Sequence, residues 1–339
     1  MIRTLKITVL VDFSTVPDED PQFHDPVDKT STEYHVIESL RHQHHDVSVI
    51  GVFDNLEEMI VKLKENKPDL VFNLTEQYCG ERLWDKNIAG VLDMLQIPYT
   101  GSGPMGMMLC RDKRLCKQLL GLHRIRVPNF LSLPFGKTVR VNKSIQFPLV
   151  VKPALADGSE GISNASLVNS VDTLQERAEF IHDRWQQDAI AEEYIDGREL
   201  YVTVLGNKRL TVCPPREFFF DQDSEQGPNM ATYRVKWNNT YREKWGLNFG
   251  FAENLDKEVV KRIERVCKKA YRVLHLRDYG RIDLRLMPDG KIAILEANPN
   301  PDLAWGEEVA EAAQRAGVDY EKLIDFIIHQ ALKRKGEVT

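Results

Sequence analysis

Short apolar runs rich in β-branched residues alternate with segments of helical periodicity along the first hundred residues. Leu5 to Val11, Asp46 to Phe53 and Asp69 to Leu74 have the composition of buried strands. Apolar residues recur at helical spacing in the segments that follow them, at residues 34–40, 56–65 and 84–95. Strands that alternate with helices predict an open, mostly parallel sheet, in which ligands bind beyond the carboxyl ends of the strands.

The pattern changes after a glycine-rich break at Thr100 to Pro104. Further helices are expected at residues 112–122, 173–184, 257–276 and 320–332, and further strands at residues 147–152, 189–195 and 200–205. Asp221 to Phe249 is polar and has no clear periodicity, as is typical of a long functional lid. We therefore expect an α/β (α+β) fold in three parts, an N-terminal α/β domain at residues 1–110, a central lobe at 111–197 and a C-terminal lobe at 198–333.

Residues 280–298 carry the strongest chemical signal. Residues 280–286 alternate strictly between polar and apolar positions, and Asp289-Gly290 is a strong signal for a two-residue hairpin turn. With that turn, Asp283 lies opposite Glu296, and directly opposed Cβ atoms are about 5 Å apart. A three-residue turn would instead place Asp283 opposite Leu295.

The predicted register also places Arg281 opposite Asn298, on the same face as the two carboxylates. Carboxylates so close repel each other, and a hard cation such as Mg²⁺, which binds carboxylate and phosphate oxygens and waters, would relieve that repulsion. Pro299 and Pro301 end the strand where the polar groups converge, which favours a site. The alternative is a solvent-facing polar strand with Arg–carboxylate pairs.

Composition and charge narrow the class of protein. The 339 residues include 45 basic and 51 acidic side chains, a net charge of −6 that argues against a dedicated nucleic-acid binder. Five scattered cysteines fit a reducing compartment, and no apolar run approaches the roughly 18 residues needed to cross a membrane. We expect a cytoplasmic protein with neither nucleic-acid nor membrane partners. His42, His44 and His45 are expected on a solvated helix end.

Seven short motifs occur in a set order from about Asp69 to the last predicted helix. They are Ile97–Gly103, Asp112-Lys113, Val150–Pro153, Gly158–Gly161, Glu192–Glu199, Gly280–Asp283 and Leu295–Asn298. In this order they resemble the motifs of the ATP-grasp superfamily, and within it the D-alanine–D-alanine ligase branch. The resemblance implies an ATP-grasp fold with a preceding open parallel-sheet domain, and a C-terminal lobe that carries the catalytic groups.

The resemblance also implies a nucleotide site. Lys113 and Lys152 would meet the ATP phosphates, and the loop that contains Gly158, Ser159 and Gly161 would cover them. The adenine hinge would be formed by Glu192, Glu193, Tyr194 and Ile195. Glu199 would bind the ribose, and Lys236 would lie in a loop over the triphosphate. Taken alone, each lysine is also compatible with an ordinary surface residue, the glycine loop with an ordinary turn, and Glu199 with a solvated strand position.

The implied reaction is ATP-dependent carboxylate–amine ligation through an acylphosphate. Asp283, Glu296 and Asn298 would hold Mg²⁺, with two ions expected and Mn²⁺ as an alternative. Arg281, Lys236 and Ser159 would be the catalytic side chains. The partners would be a small carboxylate and a small amine, of amino-acid or peptide type, and a homodimer is compatible with the family. Two alternatives stay open, a genuine D-alanine–D-alanine ligase and an ATP-binding regulatory protein without turnover.

The departures from the family pattern lie on the substrate side. Dipeptide-forming relatives carry a Gly-Gly-x-Ser-x-Glu loop where this chain has Asp12 to Pro17, and a His-Gly pair where it has Glu76-Gln77. Asp302 replaces a glycine whose amide would help to hold a substrate carboxylate. We therefore expect an altered substrate pocket in which D-alanine alone is a poor substrate.

Overall fold

The structure is a computed structural model that describes residues 4–13, 29–142, 144–219 and 248–335. Lys236 lies outside these ranges, as does the expected lid from Asp221 up to residue 247. Within them, no helix is long and apolar enough to cross a membrane.

The N-terminal part contains the expected parallel sheet. Its strands β1 (Lys6–Asp12), β2 (Asp46–Val52) and β3 (Leu70–Asn73) are arranged in the order β2-β1-β3. The helices are α1 (Thr32–His42), α2 (Leu56–Asn66), α3 (Asp85–Met94), α4 (Pro104–Arg111) and α5 (Lys113–Leu122). Helix α4 was not predicted, because the glycine-rich break hides its start; Pro104 stands at the first helical turn, where a missing N–H costs nothing.

The central part is an antiparallel sheet with one covering helix. Strands β4 (Phe130–Leu133), β5 (Leu149–Pro153), β6 (Leu167–Val168) and β7 (Ala189–Glu193) are arranged in the order β4-β7-β5-β6. Helix α6 (Val171–Trp185) begins after Ser170, whose side chain accepts the N–H of Thr173 in a capping box. Its apolar face packs on this sheet through Leu174, Ala178 and Ile181.

The third sheet carries the predicted hairpin. Its strands are β8 (Arg198–Leu205), β9 (Thr211–Val212), β10 (Arg216–Phe219), β11 (Asn248–Phe251), β12 (Tyr279–Leu286) and β13 (Ile292–Asn298). The order is β11-β10-β8-β12-β13, and β9 pairs with the last two residues of β8. Helix α7 (Lys257–Val273) covers the apolar face, on which Ile282 and Leu284 are fully buried. The polar face is left for the candidate site.

Two final helices join the far ends of the chain. Helix α8 (Glu308–Arg315), which was not predicted, is short and begins after Glu307. Helix α9 (Tyr320–Lys335) buries Leu323, Ile327 and Ile328 in the same core as Ile7 and Phe72 of the parallel sheet. The N-terminal sheet therefore shares its core with the last helix.

The register of the β12–β13 hairpin confirms the predicted pairs, but the predicted turn is wrong. Asp283 lies opposite Glu296, as expected. The Met287 N–H donates to the Lys291 carbonyl at 2.9 Å, so that three residues, not two, form the turn. A β-bulge between residues 283 and 284 accommodates Leu295 as an extra residue and restores the expected pairing beyond it.

The solvated histidine cluster is correct in part. His42 and His44 are exposed, but His45 is buried, and its Nδ1 accepts the Leu5 N–H at 3.2 Å. The chain turns from α1 into β2 at this point, which carries His45 from the helix surface to the sheet edge.

Candidate active site

A cleft lies between the central sheet and the polar face of the third sheet. It is lined by side chains from β5, β7, β8, β12, β13 and the loop after β5, namely Val150, Lys152, Ser159, Ile162, Glu192, Glu193, Tyr194, Ile195, Glu199, Asp283, Arg285, Leu295 and Glu296. Two sheets that are separate in sequence thus bring Ser159, two of the predicted metal ligands and most of the predicted nucleotide residues to one place. Lys113, Gly158 and Gly161 are not among the lining residues.

Buried charges at the base of this cleft compensate one another. Glu192 is only 3 % exposed, and its Oε1 lies 3.0 Å from Lys117 Nζ and 3.1 Å from Lys152 Nζ. Burial alone would raise the pKa of Glu192, but the two lysines outweigh it and hold that pKa below its usual value. Burial likewise lowers the pKa of Lys152, but Glu192 and Glu296 outweigh it, so the pKa is raised and the side chain stays charged.

Lys113 is the more weakly compensated cation. It begins α5 directly after Asp112, whose carboxylate accepts the N–H of Arg114 at 2.9 Å and caps the helix. The Lys113 Nζ donates to the Ala156 carbonyl and lies 3.7 Å from Glu296 Oε2. Burial lowers the pKa of Lys113 to about 8, because Glu296 offsets the desolvation only in part. An anion placed beside this side chain would favour its charged form.

The loop after β5 has a backbone suited to close approach. Gly158, Ser159 and Gly161 have φ values of +59°, +63° and +71°. A Cβ on Gly161 would lie 2.7 Å from the Pro153 ring, so this turn requires glycine. A left-handed serine is uncommon and costs about 1 kcal/mol or more, a strain that is often found where a loop contacts a ligand. Ser159 itself lines the cleft.

The segment after β7 leaves the main-chain N–H of Ile195 open. The Glu193 N–H donates to the Asn129 carbonyl and the Tyr194 N–H to the Pro148 carbonyl, both at 2.9 Å. Within the four described ranges, the Ile195 N–H has no acceptor. A half-buried amide at the cleft without an acceptor can bind the edge of a planar heterocycle.

Asp283, Glu296 and Asn298 converge on the opposite wall. Arg281 donates two hydrogen bonds to Asp283, from Nε to Oδ1 at 2.7 Å and from Nη2 to Oδ2 at 3.0 Å. Asn298 Nδ2 lies 3.3 Å from Asp283 Oδ2. The remaining Nη1 of Arg281 donates to Glu308. The sequence predicts two carboxylates that repel each other. In the structure Arg281 faces Asp283 and Lys113 faces Glu296, so protein cations already reduce this repulsion.

The fit of a metal ion can be tested on this donor set. In the described part of the chain, no group of three or more His, Cys, Asp or Glu side chains is placed to hold a metal. Asp283 and Glu296 offer two carboxylates, and Asn298 adds an amide oxygen. Mg²⁺ commonly binds one or two carboxylates together with phosphate oxygens and waters, so this set fits Mg²⁺ bound with a nucleotide.

Several side chains that contact the candidate site residues are not among those predicted from the sequence. Arg285 is buried and donates to Glu199 Oε2 at 2.6 Å and to the Gly197 carbonyl at 2.7 Å. Strict alternation had placed Arg285 on the polar face, and Lys117 stands one helical turn after Lys113, so both had a signal. Nothing in the sequence had marked Glu308 or Arg216.

Carboxylates gather beyond the ends of β1 and β3, where the substrate-side departures lie. Asp12 Oδ1 accepts the Glu76 N–H at 3.2 Å, and burial raises the pKa of Asp12 to about 6. Burial, then the charges of Glu76 and Asp302, raise the pKa of Glu33. Asp302 accepts hydrogen bonds from the Thr32 hydroxyl and, at 2.7 Å, from the Ala304 N–H.

Known proteins share this architecture and sequence. The family model D-ala D-ala ligase C-terminus matches residues 129–329. An uncharacterized protein of Sinorhizobium fredii is 33% identical over 265 residues, which cover 78% of this chain and 75% of the relative. A D-alanine–D-alanine ligase of Aquifex aeolicus is 29% identical over 295 residues, which cover 86% and 92%.

Solved structures show the same fold over nearly the whole chain. The D-alanine–D-alanine ligase of Bacillus anthracis complexed with ATP superimposes with a TM-score of 0.75 at 22% identity, covering 99% of this chain and 100% of that one. The VanG D-Ala:D-Ser ligase of Enterococcus faecalis gives a TM-score of 0.72 at 21% identity, covering 97% and 100%.

Proposed function

The chain belongs to the D-alanine–D-alanine ligase family of ATP-dependent, C–N bond-forming ligases, and we propose that it joins substrates other than two D-alanine molecules. The observation that carries the proposal is the contrast between a charge-matched nucleotide side and an acidic substrate side. Asp302 is held by Thr32 and by the Ala304 N–H and contributes to the raised pKa of Glu33. A carboxylate at this place repels the carboxylate of an amino-acid substrate.

The nucleotide is assigned to the cleft. Lys113 and Lys152 bind phosphate oxygens, and the loop of Gly158, Ser159 and Gly161 covers them with main-chain groups. The open Ile195 N–H binds the adenine edge beside Glu192, Glu193 and Tyr194. Glu199, which lines the same cleft, binds the ribose. The resemblance adds Lys236 to the phosphate contacts.

ATP and a divalent metal are the requirements of this family. Asp283, Glu296 and Asn298 would hold the metal here, and we propose two Mg²⁺ ions, with Mn²⁺ as an alternative. When bound, the metal neutralises charge on the transferring phosphoryl group. Arg281 holds Asp283 in place and presents its guanidinium to the negative charge that develops during transfer.

The reaction has two balanced steps. A carboxylate oxygen attacks the γ-phosphorus of ATP, the bond from that phosphorus to the bridging oxygen breaks, and ADP leaves. A neutral amine then attacks the acyl carbon, the acyl–oxygen bond breaks, and phosphate leaves with the proton that the amine releases. This chain contributes positioning and charge compensation through Lys113, Lys152, Arg281 and Ser159, with Lys236 as a further cation.

Acceptor-dependent ADP release tests the proposal. The protein is incubated with ATP, Mg²⁺ and panels of carboxylates and amines, and ADP is measured with D-alanine as one arm. We expect release with an acceptor that is larger or is not an α-amino acid, and little with D-alanine at millimolar concentration. Efficient D-alanyl-D-alanine formation would contradict the altered pocket, and ATP binding without turnover on any panel would favour a regulatory protein. The homodimer stays a prediction, which light scattering would test.

A further inference from the structure

Arg216 lies in one cross-strand row with the metal-binding carboxylates. On β10 it pairs with Tyr201, Tyr201 pairs with Asp283 across β8 and β12, and Asp283 pairs with Glu296 on β13. Directly opposed residues of antiparallel strands point to the same face of the sheet. Arg216 therefore projects on the catalytic face, two strands away from Asp283, or about 10 Å at the usual strand spacing.

The guanidinium of Arg216 is largely buried, and two of its three nitrogen atoms have no hydrogen-bond partner among the residues that the structure describes. Only 9 % of the residue is exposed, and its Nε and Nη1 are buried without a hydrogen-bond partner. The Cζ atom lies 4.3 Å from the ring centre of Phe249 and 5.2 Å from that of Phe251. The rings fix the plane of the guanidinium, so the N–H groups of Nε and Nη1 are oriented although the described part of the chain offers them no acceptor.

Neighbouring acids compensate this charge incompletely. Glu311 Oε2 lies 3.7 Å from Arg216 Nη1, which is an ion-pair distance but too long for a hydrogen bond. Burial lowers the pKa of Arg216, and the charges of Glu311, Glu308 and Glu307 oppose this without cancelling it. A charged donor that is buried without an acceptor destabilises the protein, because it has lost its hydrogen bonds to water and has not replaced them. A ligand that supplies the missing acceptor would therefore be favoured here.

Arg281 and Arg285, which lie on the same face, already donate hydrogen bonds to protein acceptors. Arg281 is held by Asp283 and Glu308, and Arg285 by Glu199 and the Gly197 carbonyl. Each of these two guanidinium groups thus already has protein acceptors for at least two of its nitrogen atoms. The planar fork of an arginine matches a carboxylate, which accepts two parallel N–H bonds.

We propose that Arg216 binds a substrate carboxylate other than the one that is phosphorylated. This rests on the proposed function and specifies its substrate class. The substrate carries a second acid group that lies well away from the reacting centre, at Arg216 and not beside Asp302. A dicarboxylate, or an amino acid or peptide with a distant carboxylate, meets this requirement.

A binding experiment that needs no turnover tests the proposal. With Mg²⁺ and a non-hydrolysable ATP analogue present, calorimetry compares succinate, glutarate, adipate and pimelate with the monocarboxylates of equal length. At the best length, the dicarboxylate should bind the unmodified protein at least about tenfold more tightly than its monocarboxylate. Arg216→Gln should abolish that preference and Arg216→Lys should retain part of it.

Arg315→Gln is the matched control. Arg315 also lies over the Phe251 ring, at 5.3 Å, but it is exposed at the far end of α8, and its loss should leave the preference unchanged. Glu311→Gln removes the competing carboxylate and should tighten dicarboxylate binding, which keeps the test valid if Arg216→Gln does not fold. Equal affinities for dicarboxylates and monocarboxylates, or a preference that survives in Arg216→Gln, would overturn the proposal.

Failure of the proposed function gives a different pattern. If the protein bound dicarboxylates through Arg216 but released no ADP with any acceptor, the ligase proposal would fail and the carboxylate site would stand. If ADP release required an acceptor but was indifferent to Arg216→Gln for every acid substrate, the carboxylate site would fail and the ligase would stand.

Discussion

The side proposed for the nucleotide and the side proposed for the substrates differ in how their buried charges are matched. Around the nucleotide cleft, Glu192 faces two lysines, Arg285 faces Glu199, and Arg281 faces Asp283. On the side proposed for the substrates, burial raises the pKa of Asp12 to about 6, and Nε and Nη1 of Arg216 are buried without an acceptor in the described ranges. Apart from Lys113, the buried charges on the first side are compensated without a ligand, whereas the second side carries buried charge that is poorly compensated.

The difference has a physical meaning. Phosphoryl transfer benefits from charges that are already fixed, because no reorganisation is then needed as the transition state forms. Unmatched buried groups destabilise the free protein and become favourable when a complementary substrate binds. Buried side chains whose charge is poorly compensated therefore indicate which complementary group the substrate must carry. Four experiments test this contrast, the largest effect first.

Glu296→Gln should reduce ADP release by at least about a hundredfold while weakening ATP binding by less than about tenfold. The amide keeps the shape of the side chain but removes the charge that faces Lys113 and is expected to hold the metal. Coupled ADP assays and calorimetry measure the two effects. Asp289→Asn, in the exposed turn of the same hairpin, is the control and should change neither. Unreduced turnover in Glu296→Gln would show that the opposed carboxylates are not catalytic.

Lys152→Ala should weaken ATP binding by about 10- to 100-fold, because it removes a buried cation from the phosphate site. Glu192 keeps Lys117 at 3.0 Å, so the protein should stay folded, with a loss of about 1–3 kcal/mol in the free energy of unfolding. Calorimetry and thermal melts measure both quantities. Lys291→Ala, an exposed lysine, is the control. Unchanged ATP affinity would mean that Lys152 has a structural role alone.

Asp12→Asn should stabilise the protein above pH 6 by about 1–3 kcal/mol and have no effect below pH 4. The folded pKa of Asp12, about 6, lies above its ordinary value of 3.8, so the folded state binds more protons between these values. The free energy of unfolding therefore falls as the pH rises through this window, and the asparagine removes that loss. Denaturant titrations at pH 4 and pH 8 provide the measurement. Asp319→Asn, whose pKa is lowered by Lys322, should not stabilise at either pH.

ATP affinity should fall by several-fold, and by no more than about tenfold, between pH 7 and pH 9. Burial lowers the pKa of Lys113 to about 8, so this phosphate ligand is mostly charged at pH 7 and mostly neutral at pH 9. Lys113→Met should bind ATP more weakly at pH 7 and lose this pH dependence. The comparison is made by calorimetry in buffers of matched ionic strength. A pH dependence that persists in Lys113→Met would assign it to another group.

Much of the fold and of the nucleotide side was predictable from the sequence, because local patterns determine them. Alternation placed Asp283 on the polar face and Ile282 in the core, and helical spacing located α7. The motifs around Lys113 and Lys152 are contiguous in sequence. The proposed domain boundaries and the roles of the site residues remain predictions.

The remaining features depend on contacts between distant segments. The pairing of Asp283 with Glu296 was predicted with a wrong turn, because the bulge at Leu295 compensates the extra turn residue. The Leu295 carbonyl accepts a hydrogen bond from Lys117, a residue 178 positions away, which no local pattern encodes. The contact of Glu308 with Arg281 and that of Arg216 with Glu311 likewise come from the packing of α8 near the third sheet.

The shared core of the first sheet and the last helix imposes an order on synthesis. Ile7 and Phe72 are made early, whereas their partners Leu323 and Ile327 follow roughly 250–320 residues later, or about 15–60 s at usual elongation rates. During that interval the apolar face of the parallel sheet has no helix α9 to cover it. The apolar surface that the nascent N-terminal part exposes in that interval is of the kind that promotes aggregation, until helix α9 is released and covers it.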